Sequence, residues 1–291
     1  MKLLVGFCFK IFSFLLTSLP IRVRLFLGDL IGWLWFDVLR IRRQVAIDNV
    51  AIAFPELSLS ERTRIARESL KSMGRTIIEF ASFPFFSKAV ADRTVVFKNR
   101  ETLDRALSGG KGVILLAMHI GNGDYGVSAL SADGYKVNLI SKEFKSKWLN
   151  DLWFGMRKKI GTRFISVEKS SFDILKALRR NEIVIFVLDQ FMGPPVGVRT
   201  RFFGKETGTA AGLALIAGRT GVPVVPCYTY RMTDGRHCGI FEEPIPFVAN
   251  RSHDESIAIM TQAYTDAIEK AVRKKPEQWM WIHRRWKEFR D

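Results

Sequence analysis

His119 and Asp124 stand five positions apart in the stretch HIGNGDYG, directly after the apolar run VILLAM. An imidazole can accept a proton near neutral pH, and a carboxylate bonded to one ring nitrogen leaves the other nitrogen as a general base. Gly121 and Gly123 permit a tight turn that would bring the two side chains together. The spacing therefore predicts a His–Asp pair that removes a proton from a substrate.

The sequence offers this pair no nucleophile to activate. It contains no G-x-S-x-G elbow, no S-x-x-K and no cysteine in a suitable turn, and Ser128 falls in the helix predicted after Asp124. Such a base would activate a hydroxyl of the substrate, in a direct transfer without a covalent enzyme intermediate. The alternative is structural: Asp124 would cap the helix, and His119 would be a hydrogen-bonded residue at a strand end.

The elements that would position these residues alternate between strands and helices from about residue 93. Strands are predicted at TVVFK, GVILLAM, KVNLIS, TRFISV, EIVIFVLD and VPVVPCYTYR, and helices near 101–108, after Asp124, and over 146–159, 171–179 and 207–219. This alternation predicts an α/β fold with a mostly parallel central sheet flanked by helices. Ligands of such sheets bind at the carboxyl ends of the strands, where His119, Asp189 and Gln190 all fall.

The first 40 residues are rich in Leu, Phe, Ile and Trp but are interrupted by charges. No apolar run reaches the roughly 18 to 20 residues of a clean spanning helix. The pattern predicts a membrane-associated helical segment over 1–40, either as a marginal span over 3–19 or as interfacial helices, and an enzyme domain over 41–291. Ordinary core helices are the alternative. A further helix is predicted from Ser58 or Ser60, with Glu61 in its first turn.

Composition excludes a disordered chain, because 47% of the residues are hydrophobic and 25% are charged. The formal net charge of +16 indicates an anionic partner, which could be nucleic acid, an anionic membrane or a phosphorylated substrate. The three cysteines and the single histidines at 237 and 253 lack metal-ligand spacing. We therefore expect no metal and no cofactor.

Several stretches resemble the lipid A biosynthesis lauroyl/myristoyl acyltransferases of the lysophospholipid/glycerolipid acyltransferase superfamily. HIGNGD is similar to the H-x4-D box of that superfamily. The other similar stretches follow the family's order along nearly the whole chain: RRQVAIDNVAIAFPELSLSER, LDQFMGPPVGVRTRFFGKETGT, VPVVPCYTYR and WMWIHRRWK.

The resemblance implies an enzyme on the cytoplasmic face of a bacterial inner membrane. It implies transfer of an acyl chain from acyl carrier protein, or from coenzyme A, to a hydroxyl of a phosphorylated glycolipid, a lipid A precursor. His119 matches the general base and Asp124 its orienting acid. Arg157 matches a residue that helps to bind the substrate, and Asp189 and Gln190 match a strand-end pair beside the site. For Arg231 the resemblance implies no role, and a surface cation is the alternative.

Two residues depart from the family pattern. Gly123 and Asp124 stand where this branch usually carries Trp and Glu, so the acceptor stays open among a lipid A precursor, another glycolipid, a phospholipid and an aminolipid. A non-catalytic lipid-binding protein of the same fold is a further alternative.

Basic residues after the third predicted strand would attract an acidic carrier protein and a phosphorylated lipid. They are Lys142, Lys145, Lys147, Arg157, Lys158, Lys159 and Arg163. The stretch WIHRRW is also typical of RNA-stacking patches, but the chain carries no signature of an RNA-binding domain, so nucleic acid is not an expected partner.

Overall fold

A computed structural model describes residues 2–167, 170–250 and 252–290 of the chain. Its strands are β1 (Val95–Lys98), β2 (Val113–Ala117), β3 (Val137–Ser141), β4 (Arg163–Ser166), β5 (Ile183–Val187), β6 (Gly197–Phe202), β7 (Lys205–Ala210), β8 (Val224–Arg231) and β9 (His237–Phe241). Its helices are α1 (Lys2–Ser18), α2 (Ile21–Trp33), α3 (Arg43–Ala53), α4 (Leu59–Phe80), α5 (Lys88–Thr94), α6 (Arg100–Ser108), α7 (Gly123–Ala132), α8 (Lys147–Ile160), α9 (Ser170–Arg179), α10 (Gly212–Thr220) and α11 (His253–Lys274). A π-helical turn spans Leu34–Leu39, and 3₁₀ turns span Phe83–Phe85 and Pro276–Gln278.

Within the described residues, seven strands form one sheet in the order β1-β9-β8-β2-β5-β3-β4, and β6 and β7 form a separate hairpin. Strands β8, β2, β5, β3 and β4 are parallel neighbours. Strand β9 runs antiparallel to β8, and β1 is parallel to β9. The predicted α/β class with a mostly parallel sheet is confirmed.

Strand β2 is buried on both faces of this sheet. Ile114 and Leu116 belong to one apolar core, whereas Val113 and Leu115 belong to a second core on the opposite face. Alternate side chains of a strand point to opposite faces, so a strand between two helical layers must be apolar throughout. Helices on both faces therefore explain the unbroken run VILLA.

One predicted helix was wrong at its start. Residues 207–210, predicted as the beginning of a helix, lie in β7, and α10 begins at Gly212. Thr207 and Thr209 are buried, and a Cβ on Gly208 would lie 2.2 Å from the Met192 carbonyl oxygen. The close packing of residues 207–210 therefore gives them a strand conformation, although the residues that follow them form a helix. The N-cap of α4 is Ser58, and its capping box with Glu61 confirms that prediction.

The second helix packs against α4 through glycines. A Cβ on Gly28 would lie 2.5 Å from the Arg75 Cα atom, and a Cβ on Gly74 would lie 2.2 Å from the Gly28 carbonyl oxygen. Asp29 accepts hydrogen bonds from the Arg75 guanidinium at 2.5 and 2.8 Å. Likewise Arg67 of α4 bonds Asp37. The acidic residues that interrupt the apolar N-terminal sequence therefore dock it onto the helix that supports the site.

Among the described helices, none is both long and apolar enough to cross a bilayer by itself. Residues Gly6–Ser18 and Ile21–Leu39 meet that requirement only together, and the two helices are bent by 118° at the break between them.

Candidate active site

His119 lies at the carboxyl edge of the sheet and bonds to Asp189. Strands β2 and β5 pair with Ala117 opposite Val187, so the residues two positions beyond each strand end lie side by side. The imidazole Nδ1 is 2.8 Å from one Asp189 carboxylate oxygen, and the His119 backbone N–H donates to the other oxygen at 2.8 Å. The His119 side chain is 40% exposed, whereas that of Asp189 is 1% exposed. A buried carboxylate thus holds an imidazole that faces outward.

The charges of this pair stabilise each other. Burial raises the pKa of Asp189, but the charge of His119 and hydrogen bonds from His119 and Trp279 outweigh burial and hold that pKa at about 2. Burial lowers the pKa of His119, but the Asp189 carboxylate, and to a smaller extent the charge of Asp124, raise it above the ordinary value of 6.5. Ionised Asp189 accepts a hydrogen bond from the Nδ1–H of neutral His119, so Nε2 carries a free lone pair.

The turn after His119 is fixed by its backbone. Gly121 has φ +58°, and a Cβ there would lie 2.3 Å from the Thr229 carbonyl oxygen. Only glycine combines this left-handed conformation with such a close approach. Asn122 is the N-cap of α7, and its side-chain oxygen accepts a hydrogen bond from the Tyr125 N–H. The turn therefore ends in a helix whose first residues include Asp124.

A buried cluster of ions holds this turn from behind. Glu79, in the last turn of α4, accepts hydrogen bonds from the Arg231 guanidinium at 2.7 and 2.6 Å and from the Asn122 amide at 2.8 Å. His237 Nε2 lies 3.2 Å from the same carboxylate. Burial raises the pKa of Glu79, but the charges of His237 and Arg231 hold it well below its usual value. Arg231 is buried in this cluster, so its interpretation as a surface cation was wrong.

Asp124 bonds to Arg157 and not to His119. Its carboxylate accepts hydrogen bonds from the Arg157 guanidinium at 2.9 and 2.6 Å. The predicted hydrogen bond between His119 and Asp124 is corrected to a bond between His119 and Asp189. The physical reason is strand register, which places Asp189 against the ring, whereas the first turn of α7 directs Asp124 towards α8.

Arg157 is enclosed by aromatic rings. Its side chain is 0% exposed, and its guanidinium carbon lies 4.1 Å from the Trp153 ring centroid, 4.8 Å from that of Phe83 and 5.2 Å from that of Phe80. It also donates to the Trp153 carbonyl at 2.7 Å. The described contacts of Arg157 are therefore with Asp124 and with aromatic rings, and its contact with the substrate stays a prediction.

The C-terminal segment Trp279–Trp286 closes the other side of the site. The buried Trp279 indole donates to Asp189 at 2.7 Å, and the Met280 N–H donates to the His119 carbonyl at 3.1 Å. Trp279 and Trp281 are buried, so neither ring is available to stack on a base of RNA. Trp279 of this segment therefore contacts Asp189 from the interior of the fold.

Arg285 joins the same segment to the β6–β7 hairpin. It is buried and donates to the Gly208 carbonyl and, at 2.6 Å, to the Thr209 hydroxyl. Burial lowers the pKa of Arg285 to about 10, which leaves it charged at neutral pH, and the Asp189 charge acts in the opposite direction. Two stretches that resemble the family, LDQFMGPPVGVRTRFFGKETGT and WMWIHRRWK, thus meet in one hydrogen-bond network.

Asn49 of α3 fixes the segment from the opposite end of the chain. Its buried amide donates to the Trp281 carbonyl at 2.6 Å and to the His283 carbonyl at 2.7 Å. Phe54 packs edge-on against the Trp281 ring, with centroids 6.0 Å apart. The stretches RRQVAIDNVAIAFPELSLSER and WMWIHRRWK are therefore in direct contact.

The remaining predicted residues are divided between the site and the surface. Gln190 is exposed directly beside Asp189. Of the basic residues predicted to attract anions, Arg157 is buried and Arg163 pairs with Glu182 at 2.7 Å, whereas five lysines are exposed: Lys142, Lys145, Lys147, Lys158 and Lys159. In the part of the chain that the structure describes, no three His, Cys, Asp or Glu side chains are grouped to hold a metal ion.

Comparison with known proteins decides the family. The model of the bacterial lipid A biosynthesis acyltransferases matches residues 2–288. The chain belongs to this family. Within it, the chain is 24% identical over 277 residues to the lipid A biosynthesis palmitoleoyltransferase of Escherichia coli strain K12, covering 93% of this chain and 87% of that protein. It is 25% identical over 282 residues to the lauroyltransferase of the same strain, covering 94% and 88%.

A relative named for another glycolipid also matches this acyltransferase. The phosphatidylinositol mannoside acyltransferase of Mycobacterium tuberculosis H37Rv is 26% identical over 223 residues, which cover 75% of this chain and 69% of that protein. The similarity to proteins of the lipid A family therefore extends to an enzyme that is named for a different acceptor.

Proposed function

We propose that this acyltransferase moves a fatty acyl chain from a carrier-bound thioester to a hydroxyl of a phosphorylated glycolipid, with a lipid A precursor as the first candidate. The exposed imidazole of His119, bonded through Nδ1 to the buried and ionised Asp189, is the observation that carries the proposal. Family membership supplies the reaction class. The lipid A enzymes of Escherichia coli support the choice of acceptor.

In the proposed reaction, Nε2 of His119 takes the proton of the acceptor hydroxyl as its oxygen attacks the thioester carbonyl carbon. The carbon–sulfur bond then breaks, and the imidazolium gives its proton to the leaving sulfur, so that the ester forms and His119 returns to the neutral form. Asp189 holds the Nδ1 proton and stabilises the imidazolium without being protonated itself. This route forms no covalent enzyme intermediate and uses no resident metal or cofactor.

The donor in this proposal is acyl carrier protein or coenzyme A, and both are anionic. The net charge of +16 and the exposed lysines beside the site support either donor, because a basic surface speeds the encounter with an acidic partner. Removal of exposed charge should change the rate of association more than the chemical step.

Membrane attachment is proposed through the N-terminal helices. Eight large apolar side chains of this region are each more than half exposed: Phe7, Phe12, Phe14, Leu15, Phe26, Val38, Leu39 and Ile41. An exposed apolar face flanked by basic residues is typical of helices that lie in a membrane interface. We place the enzyme on the cytoplasmic face of the inner membrane, where the basic residues after the helices would lie.

A second candidate acceptor is a different glycolipid. It is favoured by the mycobacterial relative and by Gly123 and Asp124, which depart from the residues usual in the lipid A branch. The same His119 and Asp189 chemistry would serve either hydroxyl.

Mass spectrometry of lipids from cells with and without the gene tests the acceptor. Wild type, His119→Ala and the matched control His253→Ala, which removes an exposed histidine on α11, should be compared for complementation. We expect lipid A to lose one acyl chain in the deletion strain and to regain it with wild type and His253→Ala only. Loss from another lipid would support the second candidate. Full complementation by His119→Ala would contradict the mechanism and favour a non-catalytic lipid-binding role.

A further inference from the structure

The 142–148 loop, which consists of the residues between β3 and α8 and the first two residues of α8, presents both positive charge and aromatic surface. Lys142, Lys145 and Lys147 are exposed, and the structure shows no hydrogen bond or ion pair to their ammonium groups from the described residues. Phe144 and Trp148 are 38% and 40% exposed. The combination of lysine with exposed aromatic rings is typical of residues at the headgroup level of a membrane.

The 142–148 loop is held in a defined shape. The Asn150 side chain accepts a hydrogen bond from the Phe144 N–H at 2.7 Å and donates to the Phe144 carbonyl at 2.9 Å. Ser146 caps the N-terminus of α8. The exposed rings therefore belong to a fixed turn, which reduces the entropy lost when the turn docks on a surface.

A row of aromatic rings connects this loop to the N-terminal helices. The Phe144 ring contacts Trp153, with centroids 5.6 Å apart, and Trp153 stacks on Phe80 at 4.1 Å. The 3₁₀ turn Phe83–Phe85 packs against both α8 and α1, and its Phe85 ring lies 6.1 Å from that of Phe14. The loop is thus linked to α1 through packed aromatic rings.

The loop also lies on the same edge of the sheet as His119. Strand β3 is parallel to β5, and β5 is parallel to β2, so all three strands end at the edge that carries the site. A lipid acceptor and a membrane-bound enzyme must meet at this edge.

We propose that the 142–148 loop is a second membrane contact, which binds anionic lipid headgroups through its three lysines and inserts Phe144 and Trp148 at the interface. The proposal rests on the proposed function, because it turns the sheet edge that carries His119 towards a lipid substrate in the membrane. The aromatic residues favour a membrane over an acidic carrier protein as the partner, because a carrier would be attracted by the lysines alone.

The test measures binding of the full-length protein to phosphatidylcholine vesicles with and without phosphatidylglycerol, by flotation. The variant K142Q/K145Q/K147Q is compared with K111Q/K136Q/K176Q, which removes the same charge from exposed lysines that precede β2 and β3 or lie in the last turn of α9 before β5, near the amino ends of these strands. Each lysine near an anionic surface changes the partition coefficient about fivefold, so we expect the loop variant to lose on the order of 10²-fold on anionic vesicles and little on neutral ones. The variant F144S/W148S should bind both kinds of vesicle more weakly than the wild type, with the remaining binding due to the N-terminal helices.

Equal binding by the two lysine variants would overturn the proposal. So would a loop variant that binds vesicles normally but has a raised KM for the acyl-carrier thioester, because the loop would then be a carrier-docking surface. Acyl transfer to detergent-dispersed substrate is measured separately on the wild type. A failure of the proposed function would appear there as an inactive wild type, whatever the vesicles show.

Discussion

The two carboxylates near His119 differ in burial and in partner. Asp189 is 1% exposed and bonds the imidazole, whereas Asp124 is 25% exposed and bonds the Arg157 guanidinium. Asp124 is the nearer residue in the chain, but Asp189, which is 70 positions away, is the one that contacts the ring. The comparison teaches that a short motif can mark a candidate catalytic turn, while the register of parallel strands selects the carboxylate that bonds the histidine.

The largest expected effect comes from Asp189→Asn. Loss of the carboxylate removes the charge that stabilises the imidazolium and the acceptor that fixes the tautomer, so we expect kcat for acyl transfer to fall on the order of 10² to 10⁴-fold. Steady-state kinetics of the purified enzyme measures this fall, and near-UV circular dichroism shows whether Trp279 keeps its packing. A larger loss of kcat in Asp124→Asn would reverse the comparison.

A second prediction concerns the buried ion pair between Glu79 and Arg231, which lies behind the turn that leads to Asp124. Glu79→Ala leaves the buried Arg231 guanidinium without its carboxylate, which should lower the free energy of unfolding by about 3 to 5 kcal/mol. Because the pKa of Glu79 is held below 4.5, its stabilising contribution in the wild type is fully present above that pH and is lost progressively as the pH falls from 4.5 towards the lowered pKa of the folded state. Urea unfolding at pH 7 and at pH 4 measures both effects, and the destabilisation should be slightly smaller at pH 4. No destabilisation at pH 7, or a larger one at pH 4, would contradict the role given to this ion pair.

The third prediction tests whether Asp124 and Arg157 act as a unit. Asp124→Asn and Arg157→Met should each destabilise the protein, and the double variant should lose less than the sum of the two by about 1 to 3 kcal/mol. Thermal or chemical unfolding of the four proteins gives this coupling energy. Strict additivity would show that the ion pair contributes nothing, and would favour the predicted contact of Arg157 with the substrate.

The smallest effect should appear in the pH dependence of kcat/KM. The proposed mechanism requires neutral His119, whose pKa is raised above 6.5, so wild-type activity should fall as the pH drops through that raised value. Asp124→Asn removes a minor cause of the raised pKa and should move the acidic limb slightly to lower pH. The residual activity of Asp189→Asn should show a larger shift in the same direction. An unchanged limb in Asp189→Asn would mean that the limb does not report His119.

The sequence predicted much of the fold because its strands are apolar runs between helices of ordinary length. It also identified His119, Asp189 and Gln190 as strand-end residues, since parallel strands end together. It could not identify Glu79 or Trp279 as parts of the site, because nothing local distinguishes a glutamate in an amphipathic helix or a tryptophan in an aromatic tail. Their partners lie far away in the chain, so only the folded structure brings them together. Asn49, Thr209 and Arg285 lie within stretches that resemble the family, and that position was the signal in the sequence that pointed to them. In the structure they hold the segment Trp279–Trp286 in place.

The site depends on contacts between residues that are far apart in the chain. Asn49 and Trp281 are separated by 232 positions, and Asp189 and Trp279 by 90. Such contacts close long loops, as do the pairings of β1 with β9 and of β2 with β8 within the sheet itself. A refolding chain should therefore stay inactive until both the sheet and the segment Trp279–Trp286 have formed. Full tryptophan burial and the return of activity should follow the same slow kinetic phase.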